Sequence, residues 1–178
     1  IELFGTTSTV ILKYLSSNST ACEKDLKNRK DRKGNGWVKI ETADIVDSQL
    51  KPIKFSKTGD DLNLLITFSK PNKTIRNSRF CISFSNSKGE RTTTICSDLI
   101  NHSHNYEENL VIKIPKLNLF PDTYKISTFL TINDEISDWL INAFEIEVET
   151  GDFYGSGTLP PNGQGSSLTE FSMKSIPK

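Results

Sequence analysis

Phe129 stands in an unusual setting for an aromatic residue. It lies in Tyr124-Lys-Ile-Ser-Thr-Phe-Leu-Thr-Ile132, where Tyr124, Ile126, Leu130 and Ile132 read as the inward set of a strand. That leaves Phe129 on the polar side with Ser127 and Thr131, and the polar side of a neighbouring strand adds Ser83. A ring among hydroxyls suits a sugar, whose C–H face packs on the ring while its hydroxyls hydrogen-bond alongside. A loop or a partner chain laid over Phe129 is the competing explanation. Arg79 and Arg91 bracket the hairpin that carries Phe80 and offer planar forks for a carboxylate or phosphate on such a ligand, the alternative being plain solvation. Trp139, in Ser137-Asp-Trp139, is a second candidate anchor, the favoured alternative being a half-buried residue at the edge of the core.

Signs of catalysis are weak by comparison. His102-Ser-His104 puts two imidazoles on one side of an extended segment, with no third ligand of matching type nearby, so no metal site is expected. No nucleophile–base arrangement surrounds either histidine. The carboxylate pairs Asp60/Asp61 and Glu107/Glu108 belong to turns or loops, without the apolar setting that would raise one pKa for acid catalysis. Phosphate-cradling G-x-x-x-x-G-K-[ST], G-x-S-x-G and H-E-x-x-H motifs are all missing from the sequence. A non-catalytic chain without a cofactor follows as the expectation, with a glycosidase-like enzyme as the distant alternative.

The 178 residues suffice for one ordinary domain with extensions. Lys plus Arg and Asp plus Glu both number 22, and that balance supplies no field to attract nucleic acid. Cys22, Cys81 and Cys96 make an odd set without C-x-x-C spacing, which reads as reduced, buried thiols rather than a disulfide framework. No apolar run approaches the ~20 residues needed to span a bilayer.

The elements that must position these side chains follow from periodicity. Leu62-Asn-Leu-Leu-Ile-Thr-Phe68 and Phe80-Cys-Ile-Ser-Phe84 alternate strictly, as do residues around Ile112, Ile126 and Ile146. Thr58-Gly-Asp-Asp61, Ser87-Lys-Gly89, Phe120-Pro-Asp122 and Asn133-Asp134 supply turn chemistry between them. Short strands punctuated in this way predict an all-β, antiparallel sandwich over residues 37–178. A short helix is a candidate around Ile136–Ile141, and a final strand at Leu168–Lys174 follows a Gly/Pro-rich loop. A strand on so long a tether is suited to exchange between subunits. Residues 18–36 read as a solvated charged linker, since Glu23–Lys33 holds six basic and three acidic side chains. Residues 1–17 read as a strand and a helix too small to form a core, the end of an upstream α/β domain.

Several of these segments, in order, resemble the C-terminal domain of Wzt-type ATP-binding subunits of bacterial polysaccharide ABC exporters. They are Gly34-Asn-Gly36, Asp61–Phe68, Phe80–Arg91, Ile114–Ser127, Asp138-Trp139 with Asn142–Val148, and Asp152–Gly157. The resemblance implies a jelly-roll-like sandwich that recognises the non-reducing end of lipid-linked O-antigen at the cytoplasmic face of the bacterial inner membrane, selecting it for export. It implies homodimers, in some members with exchanged C-terminal strands, and contact with the transmembrane subunit through the nucleotide-binding domain, of which residues 1–17 would be the remnant. A purely structural dimerisation domain is the alternative function. The candidate carbohydrate-binding residues Phe129, Ser83, Ser127, Thr131, Arg79 and Arg91 come from the surface argument, not from the resemblance.

Overall fold

The computed structural model describes residues 26–100, 108–161 and 163–177. Eight strands run β1 Ile40–Val46, β2 Phe55–Lys57, β3 Leu62–Phe68, β4 Ser78–Ser85, β5 Arg91–Cys96, β6 Asn109–Ile114, β7 Asp122–Ile132 and β8 Glu135–Glu149. They form a three-stranded sheet, β1-β3-β6, and a five-stranded sheet, β2-β8-β7-β4-β5. All pairings are antiparallel except the short β2–β8 pair. The expected all-β, jelly-roll-like sandwich is therefore what the chain forms.

Its core follows the alternation. Leu62, Leu64, Ile66 and Phe68 of β3 face Phe80, Ile82 and Phe84 of β4 and Tyr124, Ile126, Leu130 and Ile132 of β7, all buried. Phe68 meets Phe80 edge-on across the two sheets. Burial of these alternate side chains is the main drive for closing the sandwich.

Three sequence expectations meet a different arrangement. Ile136–Ile141 is no helix but the first half of β8, because Asn133 and Asp134 take positive φ (51° and 67°) and turn β7 straight back on itself. No strand forms at Leu168–Lys174: Leu168 is buried beside Phe120 and Phe153, while the residues after it are exposed and make no ladder within the chain. Cys81 and Cys96 are disulfide-bonded rather than separate thiols, since the β4–β5 register sets them directly opposite. They are fifteen positions apart in sequence, and only the hairpin register reveals the pairing.

The charged stretch is also more ordered over its described part than solvation would have it. Leu26 is fully buried, and its amide donates to the Glu41 carbonyl. Lys33 exchanges both backbone hydrogen bonds with Trp139, and the Asn35 and Gly36 amides donate to the carbonyls of Ile136 and Ser137. Residues 33–36 thus extend the five-stranded sheet beside the first half of β8, as β2 does beside its second half. Gly34 is required: its φ is 122°, and a Cβ there would lie 2.5 Å from the Ser137 carbonyl oxygen. Arg32 donates to a carboxylate oxygen of buried Asp138 at 2.7 Å, and Ile40 N–H donates to the same oxygen at 2.8 Å. Burial raises the Asp138 pKa above the usual carboxylate range, opposed by the Ile40 amide and the Arg32 charge. Residues 1–17, with the proposed strand–helix remnant, lie outside the described residues.

Candidate binding groove

The five-stranded sheet has one face in the core and one turned outward. Because β4, β5, β7 and β8 pair in register, their outward residues converge. Ser83 is opposite Ser127, Cys81 opposite Phe129 and Arg79 opposite Thr131 on β4–β7. Ser83 faces Thr94 on β4–β5, and Phe129 faces Trp139 on β7–β8. Together they bound a cavity of about 330 Å³ lined by Arg79, Ser83, Arg91, Ser127, Phe129 and Trp139, with Cys81, Thr94, Cys96 and Ile141 completing the wall.

Five of the six candidate residues therefore meet in one groove. Thr131 shares their face but does not line the cavity, because its register position lies beyond Phe129 toward the β7–β8 turn. Arg79 and Arg91 mark opposite ends of the floor. Arg91 pairs with Ser85, six residues along β4 from Arg79, which places the two backbones roughly 20 Å apart. Arg79 is engaged by Asp98, Nε to carboxylate 2.9 Å.

Two features of the groove go beyond the favoured reading of the sequence. Trp139 is not a plain core-edge residue. Its ring stands edge-on to Phe129, centroids 5.8 Å apart at 82°, and both rings are half-buried on the cavity wall. The Lys33 ammonium lies 5.1 Å from the Trp139 ring centroid, and the backbone bonds of Lys33, in the strap formed by residues 26–36, hold Trp139 in place. Its register with Phe129 was the only signal that would have found it, and that register depends on where β8 begins.

The second feature is a bulge in β8. Pairing slips between Ile126 and Thr128, so Ile141, Asn142 and Ala143 are looped out opposite Ser127. Asn142 adopts φ 50°, a conformation asparagine tolerates better than most, and its amide donates to the Ser127 hydroxyl oxygen at 3.0 Å. Ile141 is thereby pushed to the surface at the cavity rim, about half exposed. Ser127 is fixed as an acceptor toward the backbone, leaving its proton to donate into the groove.

The groove thus has an aromatic and aliphatic wall of Phe129, Trp139 and Ile141, a hydroxyl floor of Ser83, Thr94 and Ser127, and a guanidinium toward each end. Asp60 and Asp61 lie elsewhere: Asp61 pairs with Lys113 at 2.7 Å, which together with the Lys116 amide lowers its pKa. His102, His104 and Glu107 fall outside the described residues.

Architecture and groove define a class: a β-sandwich module with a ligand-sized recess on the outer face of one sheet. Residues 29–159 match the family model described as the Wzt C-terminal domain, and the chain belongs to that family. A crystal structure of the C-terminal domain of Wzt superposes with a TM-score of 0.63 at 14% identity, covering 83% of this chain and 90% of that one. No curated protein matches the sequence closely enough to serve as a relative. Membership supports a role in O-antigen export by an ABC transporter, within a carbohydrate-binding rather than a catalytic domain family. No helix among the described residues is long and apolar enough to cross a membrane.

Proposed function

We propose that the groove binds the non-reducing end of a lipid-linked O-antigen polysaccharide and so selects finished chains for export. The observation that carries this reading is the convergence of Phe129 and Trp139 with Ser83, Thr94 and Ser127 around one cavity. A pyranose laid on the Phe129–Trp139 wall buries its C–H face, and its rim hydroxyls meet the serine and threonine side chains. The cavity volume, about 330 Å³, is near the lower limit of ligand sites, which suits a terminal sugar or two better than a long stretch of polymer. Arg91, exposed at one end, is placed to take an acidic terminal group. Each hydrogen bond gained replaces one to water and is worth ~1 kcal/mol net, so the wall supplies much of the affinity.

The test is titration of the cognate glycan against Phe129→Ala and Trp139→Ala. At least a tenfold loss of affinity is expected for each, corresponding to the ~1.4 kcal/mol of a lost stacking partner. Unchanged affinity in both variants removes the groove from the site. Release of reducing sugar from the polymer would instead revive the glycosidase reading.

A homodimer belongs to the same reading. Phe171 and Met173, 67% and 88% exposed, alternate along a segment without a ladder in its own chain. Edge strand β6 presents Val111 beside an apolar recess formed by Phe80, Ile95, Leu110 and Ile112. Exchange of the C-terminal segment onto a second copy would cover such surfaces. A purely structural dimerisation domain predicts that the groove face itself is covered in that dimer. Glycan binding predicts that it stays open. In the full exporter the module would work at the cytoplasmic face of the inner membrane, joined to the transmembrane subunit through a nucleotide-binding domain.

A further inference from the structure

We propose that Cys81 and Cys96 form a reversible thiol–disulfide site on the floor of the groove, opened and closed by exchange with a low-molecular-weight thiol such as glutathione. Three observations carry it. The pair is on the outward face of the sheet: both cysteines, though only 7% exposed, line the cavity, while Phe80 and Ile95 beside them pack on the core. A small thiol therefore has a path to the bond that a core disulfide would deny it. Arg79 Nη2 lies 3.6 Å from Cys96 Sγ, and a guanidinium there favours negative charge on that sulfur. Finally, among the described residues β5 is the edge of its sheet and pairs only with β4, so the bond is a covalent tie on a strand otherwise held there from one side.

The chemistry balances without a further reactant. A thiolate RS⁻ attacks Cys81 Sγ, forming Cys81–S–SR and releasing Cys96 as the thiolate beside Arg79. A second RS⁻ attacks the mixed disulfide, giving RSSR and the Cys81 thiolate. Two electrons pass from two thiols to the protein bond, and solvent supplies the protons. In the closing direction the Cys81 thiolate attacks RSSR and releases one RS⁻, and the Cys96 thiolate then attacks Cys81 Sγ of the mixed disulfide and displaces the second RS⁻.

A metal centre is the competing use of these groups, since the two sulfurs and an Asp98 oxygen lie within 4.8 Å of one another. Arg79 decides against it: its Nε holds Asp98 at 2.9 Å while its Nη2 reaches Cys96, so the positive charge occupies the place of a cation. Opening the bond would free β5, which carries the cavity residues Arg91 and Thr94. The inference stands whether or not the groove holds a sugar.

The experiment uses the full chain with Cys22→Ser, equilibrated in glutathione buffers of stepped reduced-to-oxidised ratio. Free thiols are then trapped by alkylation and counted by mass. Both thiols should appear together in a two-electron transition within the buffer range, and amide exchange across Arg91–Cys96 should quicken as they do. Arg79→Gln should slow reduction roughly tenfold at neutral pH, and Arg79→Lys should restore most of the rate. A bond reduced only after unfolding, thiols that stay free in every buffer, or Arg79→Gln exchanging at the parental rate would each overturn the proposal. So would stoichiometric zinc uptake by the reduced chain that protects both thiols from alkylation.

Discussion

Two peripheral segments of this molecule behave opposite to their composition. The stretch from Leu26 to Gly36 is mostly charged, yet it is fastened along β8 by backbone hydrogen bonds and by the Arg32–Asp138 pair. The stretch after Leu168 carries Phe171, Met173 and Ile176, yet all three are exposed. What separates the two is access to unpaired backbone. The first half of β8 has a free edge beside the strap, and Gly34 lets the chain approach it. The terminal segment makes no ladder with the described residues, and the edges of β5 and β6 are left without it. Hydrophobicity orders a segment only where a complementary surface exists, whereas a sheet edge can order even a charged one.

The largest expected effect breaks the strap. Arg32→Ala leaves the Asp138 carboxylate buried without its counter-charge and should cost about 3–5 kcal/mol in denaturant unfolding. Because the folded pKa of Asp138 already lies above the unfolded value, its charge costs stability at higher pH, and protonation relieves that cost as pH falls. The Arg32→Ala deficit should therefore be smaller in mildly acidic buffer than at neutral pH. Gly34→Ala comes next, at about 1–3 kcal/mol, since a side chain there must displace the Ser137 carbonyl or relax a left-handed backbone.

The other segment's anchorage gives a pH signature. Tyr124 is buried, its hydroxyl donates to the Phe120 carbonyl at 2.9 Å, and Phe120 packs on Leu168. Burial first, and the Asp122 charge second, push the Tyr124 pKa up to about 12. Its contribution to stability is complete below pH 10 and is lost as pH rises through 12. An ultraviolet phenolate titration should show this late step and lose it in Tyr124→Phe. The smallest effect belongs to the exposed tail. Deleting residues 169–178 should change monomer stability by less than about 0.5 kcal/mol, while sedimentation should show the proposed homodimer for the full chain and a monomer for the deletion.

Much of the groove was legible in advance. Strict alternation put Ser83, Ser127 and Phe129 on outward faces, and a sheet that pairs their strands necessarily gathers them. Asn63 and Thr67, outward by the same rule, lie on β3 in the other sheet. Alternation assigns a face but not a sheet. Trp139 ranked as a core-edge residue before an anchor, because its register with Phe129 is set by where β8 begins, which a candidate helix at Ile136–Ile141 left open. The Cys81–Cys96 bond and the Ser127 bulge depend on pairings that no local pattern encodes.

Composition and period two alone thus settled an all-β sandwich, its core residues and a hydroxyl-rich outer side, because side-chain alternation is a local property of every strand. Tertiary structure alone decided which outward faces became neighbours, which cysteines met, and that a charged strap rather than an apolar tail would be held in place. Those outcomes depend on register and on free backbone edges, which exist only once distant strands have paired.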